Sequence, residues 1–271
     1  MHDLSFSKSY NYMLKRVIYS NEETQSWFYE AFDDTDKRTV GIKKVRVYAK
    51  DLVRAQAEAV VIHTLSNVTT QVPALYNTYY DRANEWFYLF MQYIEGGVTL
   101  RKHIESSPPL SACVDIMIQV CDVLQQLHKK RLQHRDLKPE NLLMRNNQVY
   151  IIDFNISTSV PFKGEGTDYY RAPEQTEGMR HIGLNAIDIF SLGVILYEFV
   201  TGRPPVRGED YSFRRGLDEW KFFTPPIEKR PELTPELNDV IMNCLKLNPK
   251  QRYKDIWQLK QALIQAKRGM R

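Results

Sequence analysis

The hydrophobic pattern of the chain changes character at Glu95-Gly96-Gly97, and no other feature constrains the fold as strongly. From about Tyr10 to Tyr93 the sequence consists mainly of short runs rich in Tyr, Phe, Val and Ile, which are typical of β-strands. Beyond the two glycines, longer runs place apolar residues three and four positions apart, which is typical of amphipathic helices. We therefore predict an α+β fold of two unlike lobes, with a hinge at about residues 92–97.

The first half, about residues 10–93, predicts a small lobe made of a sheet and one helix. The helix is predicted by apolar residues that share one face at three- and four-residue steps. These residues are Leu52, Val53, Ala57, Val61, Ile62 and Leu65. Five strands are predicted around it, namely Tyr12 to Tyr19, Trp27 to Phe32, Thr39 to Tyr48, Val72 to Tyr80 and Trp86 to Met91.

The second half, about residues 98–265, predicts a larger and mainly helical lobe. An apolar stripe from Cys113 to Leu127 predicts a long helix that Ser111 would cap. A second helix, about Asn185 to Thr201, would end at a glycine followed by prolines. A third is predicted near Pro235 to Leu245, with Thr234 as its N-cap and proline at the first helical position.

The charge pattern does not favour a nucleic-acid partner. The net charge of +4 is small, and Lys and Arg are scattered along the chain. The richest basic pieces are Lys129–Arg131, Arg214–Arg215 and a short tail at 266–271, and we interpret them as solvated surface. We therefore expect no nucleic acid among the partners of this protein.

The apolar runs and the cysteines bear on where in the cell the protein is located. No apolar run approaches the ~20 residues of a membrane-crossing helix, and the N-terminus lacks the basic-then-apolar pattern of a signal peptide. Cys113, Cys121 and Cys244 form no ligand-like pair, so we interpret them as core thiols in a reducing compartment. We expect a cytoplasmic protein with no membrane partner.

The strongest motif is His134-Arg135-Asp136-Leu137-Lys138-Pro139-Glu140-Asn141, followed after twelve residues by Asp153-Phe154-Asn155. Further along come Ala172-Pro173-Glu174, the run DIFSLGVILYE that contains Asp188, and a late Arg252. In this order and spacing, the motifs resemble the eukaryotic-type (Hanks-type) serine/threonine protein kinase family. The resemblance implies one kinase domain over residues 1–271, in which a small antiparallel sheet lobe with one helix precedes a larger helical lobe.

The chemistry of phosphoryl transfer gives an independent reason for these residue types, because that reaction needs aligned reactants and neutralised charge. Asp136 would accept or orient the proton of the substrate hydroxyl, and Lys138 could reach the transferred phosphate. Asn141 and Asp153 offer hard oxygen ligands for Mg²⁺ or Mn²⁺. The resemblance also implies that Thr167 touches Asp136 and Lys138 and helps to seat the substrate.

The resemblance assigns an ATP site to further residues of the chain. Val40-Gly41-Ile42-Lys43 resembles the family's strand that carries the phosphate-binding lysine, and Glu58, fifteen residues later, would pair with Lys43. Gly41 stands where alanine is usual, which we expect to leave more room for adenine. The remaining residues implied at this site are the gatekeeper Met91, the hinge residues Gln92 and Ile94, and the apolar floor Leu143.

Other matching residues are expected to support the structure. Ile62, His134 and Phe154 correspond to an apolar stack of the family. Asp188 corresponds to the aspartate that holds the backbone around His134, and Glu174–Arg252 corresponds to a buried ion pair. We expect their loss to abolish activity although none of them is catalytic.

The chain departs from the family where a glycine-rich phosphate-binding loop is implied, since no glycine lies between Met1 and Val40. Counting back fifteen residues from Lys43 places Phe28 after the loop, and the three glycine positions become Asn21, Glu23 and Ser26. The loop could fold away from the phosphates, could be held by a partner, or could have lost nucleotide binding. Asn155 in place of the family's glycine is a milder change, because Asn tolerates left-handed geometry.

Three interpretations of function follow. The retained Lys43, Glu58, Asp136, Lys138, Asn141 and Asp153 favour an active ATP-dependent serine/threonine protein kinase acting on a protein substrate. The glycine-free loop leaves open a pseudokinase scaffold, with an activating or scaffolding partner. A small-molecule phosphotransferase is disfavoured by Ala172-Pro173-Glu174 and the DIFSLGVILYE run. We also hypothesise that a phosphate on Ser157, Thr158 or Ser159 could pair with Arg135.

Overall fold

The structure is a computed structural model, and it describes residues 3–5, 11–154, 166–177, 185–206 and 223–270. The chain divides into two compact units, Met1–Gly96 and Gly97–Arg271. The boundary falls at the pair of glycines where the hydrophobic pattern changes. Gly96 has a φ of 71°, a conformation that glycine adopts without strain.

The first unit contains one antiparallel sheet of six strands and one long helix. The strand order is β1-β2-β3-β4-β6-β5. The strands are β1 (Asp3–Ser5), β2 (Asn11–Asn21), β3 (Ser26–Asp33), β4 (Arg38–Arg46), β5 (Leu75–Asp81) and β6 (Trp86–Gln92), and the helix is α1 (Leu52–Ser66). The five predicted strands and the helix are confirmed. β1 was not predicted, β4 ends two residues before the predicted Tyr48, and β5 begins after Pro73, which cannot donate to a sheet ladder.

One face of this sheet carries a tightly packed apolar cluster. Its buried members are Tyr12, Ala31, Val40, Ile42, Tyr88 and Phe90. The rings of Tyr12 and Phe90 stack with their centroids 4.6 Å apart. Since side chains alternate along a strand, Gly41 and Lys43 lie on the opposite face from Val40 and Ile42. The apolar cluster thus fixes which residues of β4 face away from it.

The second unit is mainly helical, with a three-stranded antiparallel sheet of order β7-β8-β9. The strands are β7 (Val98–Thr99), β8 (Leu142–Arg145) and β9 (Gln148–Ile151). Among the residues that the structure describes, the α-helices are α2 (Leu100–Glu105), α3 (Leu110–Lys129), α4 (Pro173–Glu177), α5 (Ala186–Thr201), α6 (Pro226–Lys229), α7 (Pro235–Cys244) and α8 (Ile256–Arg268). The prediction of an α+β fold with a sheet lobe and a helical lobe is confirmed.

Helix α5 is the central element of the second unit, because every residue from Ala186 to Val200 is buried. It ends as predicted at Gly202, which has a φ of 81° and donates its N–H to the carbonyl of Glu198 over 2.7 Å. The predicted third helix is α7, and the Thr234 side chain caps it by accepting a hydrogen bond from Leu237 N.

Two predicted helix boundaries are wrong. Ser111 does not cap α3, because the helix begins at Leu110 with Pro109 as its N-cap. Residues 266–268, predicted to lie in a tail, belong to α8, because the buried Ala266 continues the apolar stripe of that helix. The sequence offered a sign of α8 in Asp255, whose carboxylate accepts a hydrogen bond from Gln258 N over 2.8 Å as an N-cap.

Among the described residues, α3 is the one helix whose length and composition would suffice to cross a membrane, contrary to the expectation from the sequence. A core helix passes the same test. Nine residues of α3 are buried, and the helix contacts α5, α8 and β9. Its apolar stripe is therefore used in the core of the second unit.

A buried ion pair joins α4 to the segment between α7 and α8. Arg252 Nη1 and Nη2 lie 2.6 and 2.8 Å from the two carboxylate oxygens of Glu174, and both side chains are at most 1% exposed. Arg252 also donates to the carbonyls of Ala186 and Lys246, over 2.7 and 2.8 Å. Every guanidinium nitrogen therefore has an acceptor, which is how a buried charge is tolerated.

We expect Arg252→Ala to lower the free energy of unfolding by about 3–5 kcal/mol, because Glu174 would remain as a buried and uncompensated charge. Urea unfolding followed by circular dichroism measures this change. The matched control is Lys267→Ala, which removes an ion pair with Asp115 whose side chains are 40% and 48% exposed. The control should cost about 1 kcal/mol or less. Equal losses in the two variants would contradict the role given to burial.

Candidate active site

The first unit contains a buried ion pair between β4 and α1. Lys43 Nζ donates a hydrogen bond to Glu58 Oε1 over 2.7 Å, and the two side chains are 15% and 5% exposed. Glu58 is a buried residue of α1, as are Ile62 and Leu65. The pair thus orients one cation on the face of the sheet opposite the apolar cluster, and such an ammonium can bind a phosphate oxygen.

Gly41 lies two residues before Lys43 on β4, and therefore on the same face of the sheet. An ideal Cβ atom at Gly41 would lie 2.5 Å from Cζ of Phe28. Phe28 is on β3, directly opposite Lys43. Its ring fills the space that glycine leaves, so the extra room predicted for adenine at Gly41 is not there.

The turn between β2 and β3, residues 22–25, stands where the resemblance implies a glycine-rich loop. Asn21, at the end of β2, accepts a hydrogen bond on its side chain from Thr24 N over 2.9 Å. Gln25 has a φ of 47°, in the region that glycine usually occupies, and its carbonyl accepts from Arg46 N over 3.0 Å. A side-chain hydrogen bond and one left-handed residue therefore close the turn without glycine.

The other two positions predicted to replace glycines differ in their surroundings. Glu23 lies within the turn and is exposed, as is its neighbour Glu22. Ser26 begins β3 and pairs with Asn21 across the hairpin. Two carboxylates at the tip would repel a phosphate group brought close to it.

Of the hinge residues predicted from the sequence, Gln92 is the last residue of β6 and Ile94 follows the strand. Met91 is buried and pairs with Gly41 across the sheet. Gln92 N donates to the carbonyl of Ala74 over 2.8 Å, and Gln92 Oε1 accepts from Ala74 N over 3.4 Å. Within the described part of the chain, the Ile94 N–H has no acceptor. This N–H is therefore available for a bond to a nucleotide base.

In the second unit, Asp188 of α5 organises the loop that begins at His134. Its Oδ2 accepts a hydrogen bond from His134 N over 2.9 Å, and its Oδ1 accepts from Arg135 N over 2.8 Å. His128 Nε2 lies 2.7 Å from Oδ2. These bonds hold Arg135 at a φ of 62°, a left-handed conformation that a residue with a side chain rarely adopts. The expectation that Asp188 holds the loop backbone is confirmed.

The ionisation of Asp188 follows from these contacts. Complete burial favours the neutral carboxylic acid, but the hydrogen bonds from His128 and from Arg135 N favour the charged form. The outcome is that the pKa of Asp188 lies below its ordinary value.

Asp136 and Lys138 of this loop are in contact with Thr167, which belongs to a later segment of the chain. Asp136 Oδ1 accepts hydrogen bonds from Thr167 N and Thr167 Oγ1, over 2.8 and 2.7 Å. Lys138 Nζ donates to Thr167 Oγ1 over 3.0 Å and lies 3.4 Å from Asp136 Oδ2. The carboxylate of Asp136 is thus fixed on one side by Thr167 and lies beside an ammonium group, which suits a proton acceptor next to a developing negative charge.

Asn141 and Asp153 are brought together by a main-chain contact. The carbonyl of Asn141 accepts a hydrogen bond from Ile152 N over 2.9 Å, and Asn141 Nδ2 donates to the carbonyl of Asp136 over 2.9 Å. Asp153 has a φ of 64°. Within the described ranges, no group of three or more Asp, Glu, His or Cys residues is arranged so that it could hold a metal ion by itself. One carboxylate and one amide oxygen nevertheless fit Mg²⁺, which commonly takes one or two protein ligands together with substrate phosphates.

The remaining residues predicted from the sequence are Leu143, the three residues of the apolar stack and those near Asn155. Leu143 lies on β8, opposite Thr99 and Tyr150. The rings of His134 and Phe154 have centroids 5.1 Å apart, and Ile62 is a buried residue of α1. Asn155, Ser157, Thr158 and Ser159 lie outside the described residues, so the predicted phosphate contact with Arg135 stays a prediction.

Sequence reasoning missed two groups of residues near this loop. Gln175 Nε2 donates to the carbonyl of Arg135, and its Oε1 accepts from Ala172 N, both over 2.9 Å. A second group joins Arg101 to Glu140 and Glu198 through hydrogen bonds. Glu140 and Glu198 occur inside the motifs HRDLKPEN and DIFSLGVILYE, but nothing in the local sequence connects either one to Arg101.

We expect Gly41→Ala to destabilise the protein by about 1–3 kcal/mol, because the added Cβ would overlap the Phe28 ring. Adding Phe28→Val should restore most of the loss, since the smaller side chain makes room. Thermal unfolding of the single and double variants measures the coupling. Gly269→Ala is the matched control, because a Cβ there meets its nearest atom at 3.5 Å. Additive effects at positions 28 and 41 would contradict the proposed contact.

We expect Asp188→Asn to reduce the acid sensitivity of folding. Because the folded-state pKa is lowered, charged Asp188 stabilises the protein above its ordinary pKa of 3.8, and this contribution is lost as the pH falls through the folded-state value. The slope of unfolding free energy against pH below about pH 4 should therefore decrease in the variant by up to about 1.4 kcal/mol per pH unit. Urea unfolding at a series of pH values gives both slopes. Identical slopes in the two proteins would show that Asp188 has no lowered pKa.

Comparison with known proteins supplies the family. The protein kinase domain model matches residues 24–264. Serine/threonine-protein kinase PknB of Mycolicibacterium smegmatis is 31% identical over 194 residues, which cover 67% of this chain and 31% of that protein. Serine/threonine-protein kinase Pkn1 of Myxococcus xanthus is 33% identical over 189 residues, which cover 65% of this chain and 27% of that protein.

A longer match is the probable serine/threonine-protein kinase SCO3848 of Streptomyces coelicolor, 29% identical over 246 residues, which cover 83% of this chain and 35% of that protein. The chain spans about a third of the length of these curated relatives. Since the family model covers most of the chain and the motif residues are placed as described above, the chain belongs to the Hanks-type serine/threonine protein kinase family.

Proposed function

We propose that this protein is an ATP-dependent serine/threonine protein kinase that transfers the γ-phosphate of ATP to a hydroxyl group of a protein substrate. The observation that carries the proposal is the arrangement of Asp136, Lys138 and Thr167. Thr167 Oγ1 lies 2.7 Å from Asp136 Oδ1 and 3.0 Å from Lys138 Nζ, so a proton acceptor and a cation share one fixed geometry. A scaffold without transfer activity has no chemical need for this arrangement.

In the proposed reaction, the substrate hydroxyl oxygen forms a bond to the γ-phosphorus while the bond to the oxygen bridging the β- and γ-phosphorus atoms breaks. The products are the phosphorylated protein and ADP, and the hydroxyl proton passes to Asp136. Lys138 stabilises the negative charge on the transferred group, and Lys43, oriented by Glu58, binds the other phosphates. When Mg²⁺ or Mn²⁺ is bound, with Asn141 and Asp153 as protein ligands, it neutralises phosphate charge.

The base of ATP would be bound by the main chain of Gln92 and Ile94, and the family resemblance assigns Met91 and Leu143 to the same site as apolar residues. The Ile94 N–H supports this assignment, because it has no acceptor within the described residues. The glycine-free turn supports weak rather than tight binding of ATP, since Glu22 and Glu23 are exposed at its tip.

The partners and the location remain part of the proposal. Protein substrates follow from the kinase assignment, and a further protein could activate the enzyme or serve as its scaffold. We propose no nucleic-acid or membrane partner, and a cytoplasmic location. The small net charge of +4 and the three free, buried cysteines support these choices.

The test is transfer of labelled phosphate from γ-labelled ATP, with Mg²⁺ or Mn²⁺, to generic protein substrates and to the protein itself. We expect label on serine or threonine, and a rate about 10²–10⁴-fold lower for Asp136→Asn, because the variant cannot accept the hydroxyl proton. Asp122→Asn is the matched control, since it makes the same change on α3 and should keep full activity. Absence of transfer at millimolar ATP in the wild type, or an active Asp136→Asn, would overturn the proposal in favour of a pseudokinase.

A further inference from the structure

A pocket of about 500 Å³ lies beside the loop that begins at His134, within the second unit. Its walls include Lys138 and Thr167, which belong to the candidate active site, together with Glu140 and Glu198. Arg101 and Arg203 complete the charged part of the lining. Since the pocket shares residues with the site of transfer, a substrate segment at that site would place a neighbouring side chain in it.

Arg101 of α2 forms ion pairs with both carboxylates of this pocket. Its Nε donates to Glu140 Oε1 over 2.8 Å, its Nη1 donates to Glu198 Oε1, and its Nη2 donates to the hydroxyl of Tyr170. Tyr170 in turn donates its hydroxyl proton to Glu198 Oε2 over 2.6 Å. Both oxygens of Glu198 are therefore engaged by groups of the chain itself.

Glu198 and Arg101 differ in exposure, and this difference determines which charge a substrate would meet in the pocket. The side chain of Glu198 is 3% exposed, whereas that of Arg101 is 29% exposed. A carboxylate as buried as Glu198 needs a cation beside it. Without Arg101, that cation would have to come from the contents of the pocket.

The remaining charges of the pocket are positive. Arg203 is exposed, and within the described residues it has no ion-pair partner. Lys138 lies 3.4 Å from Asp136. A basic substrate side chain would meet these two cations and two carboxylates already bonded to Arg101, whereas an acidic side chain would be attracted to Arg203.

We propose that Arg101 is a specificity-determining residue, which occupies the place where a substrate arginine or lysine would pair with Glu140 and Glu198. The pocket then accepts an acidic side chain near the phosphorylated hydroxyl and rejects a basic one. This inference rests on the proposed kinase function, because it concerns the substrate of that reaction. Specificity then arises because Arg101, a residue of the kinase itself, excludes basic residues of the substrate from the pocket.

The test uses fluorescent peptides that contain one threonine and carry either glutamate or arginine at a single neighbouring position, scanned along the peptide. Fluorescence anisotropy measures binding, and labelled ATP measures transfer. For the wild type we expect one position at which the glutamate peptide binds roughly tenfold more tightly than the arginine peptide. For Arg101→Gln, we expect the preference at that position to reverse, because the carboxylates are released. Wild-type preference for arginine, or an unchanged ratio in the variant, would overturn the proposal.

Two control variants separate charge in the pocket from charge elsewhere. Lys102→Gln removes one positive charge from the next residue of α2, which is exposed, and should leave the ratio unchanged. Arg101→Gln combined with Glu198→Gln removes the buried carboxylate, so the preference for arginine should not develop. A preference for arginine in this double variant would contradict the role given to Glu198.

Binding and transfer distinguish failure of this inference from failure of the proposed function. Anisotropy needs no transfer, so a protein that binds peptides with the expected ratio but transfers no phosphate would support the pocket and overturn the kinase activity. Thermal unfolding checks that Arg101→Gln is folded. If it is not, the wild-type ratio alone decides, and a wild type that shows no preference for glutamate over arginine at any position overturns the inference.

Discussion

The loop that carries Asp136 in the second unit depends on one carboxylate, that of Asp188. It lies inside α5, which is buried along nearly its full length, and it accepts hydrogen bonds from the main chain of His134 and Arg135. These bonds compensate for the left-handed conformation of Arg135, which sets the direction in which the loop leaves the core. Asp136 follows directly, so the position of the proposed base is determined by a residue that does no chemistry.

The charged groups of the two units are held in place in the same way. In each, a functional side chain is fixed by a neighbour at hydrogen-bond distance: Lys43 by Glu58, and Asp136 by Thr167. A group whose rotamer is already fixed loses little entropy when a substrate binds, and it needs no reorganisation as charge develops. The geometry therefore supports transfer chemistry more strongly than it supports a passive scaffold.

The sequence predicted the elements and motifs whose evidence is local. Residue types located five strands of the sheet, and apolar periodicity located α1 and α3. Helix start and stop signals located α5 and α7, and motif spacing located Lys43 and Asp136. It could not predict contacts between distant segments, such as that of Arg101 with Glu198, because 97 positions separate them and α2 is too short for a strong periodic pattern. The N-terminus of α3 was missed because a proline, without a side-chain cap, occupies the N-cap position.

The pair of Phe28 and Gly41 shows how a large residue on one strand and a glycine on the next strand compensate for each other. β3 places a large ring opposite Lys43, and β4 has no side chain where that ring lies. A larger residue in one strand is thus matched by a smaller one in the next, which preserves packing density. The same hairpin closes through Asn21 and Gln25 instead of glycines. Both departures from the family pattern therefore preserve the strand that carries Lys43, while only the exposed glutamates at the turn act against a bound phosphate.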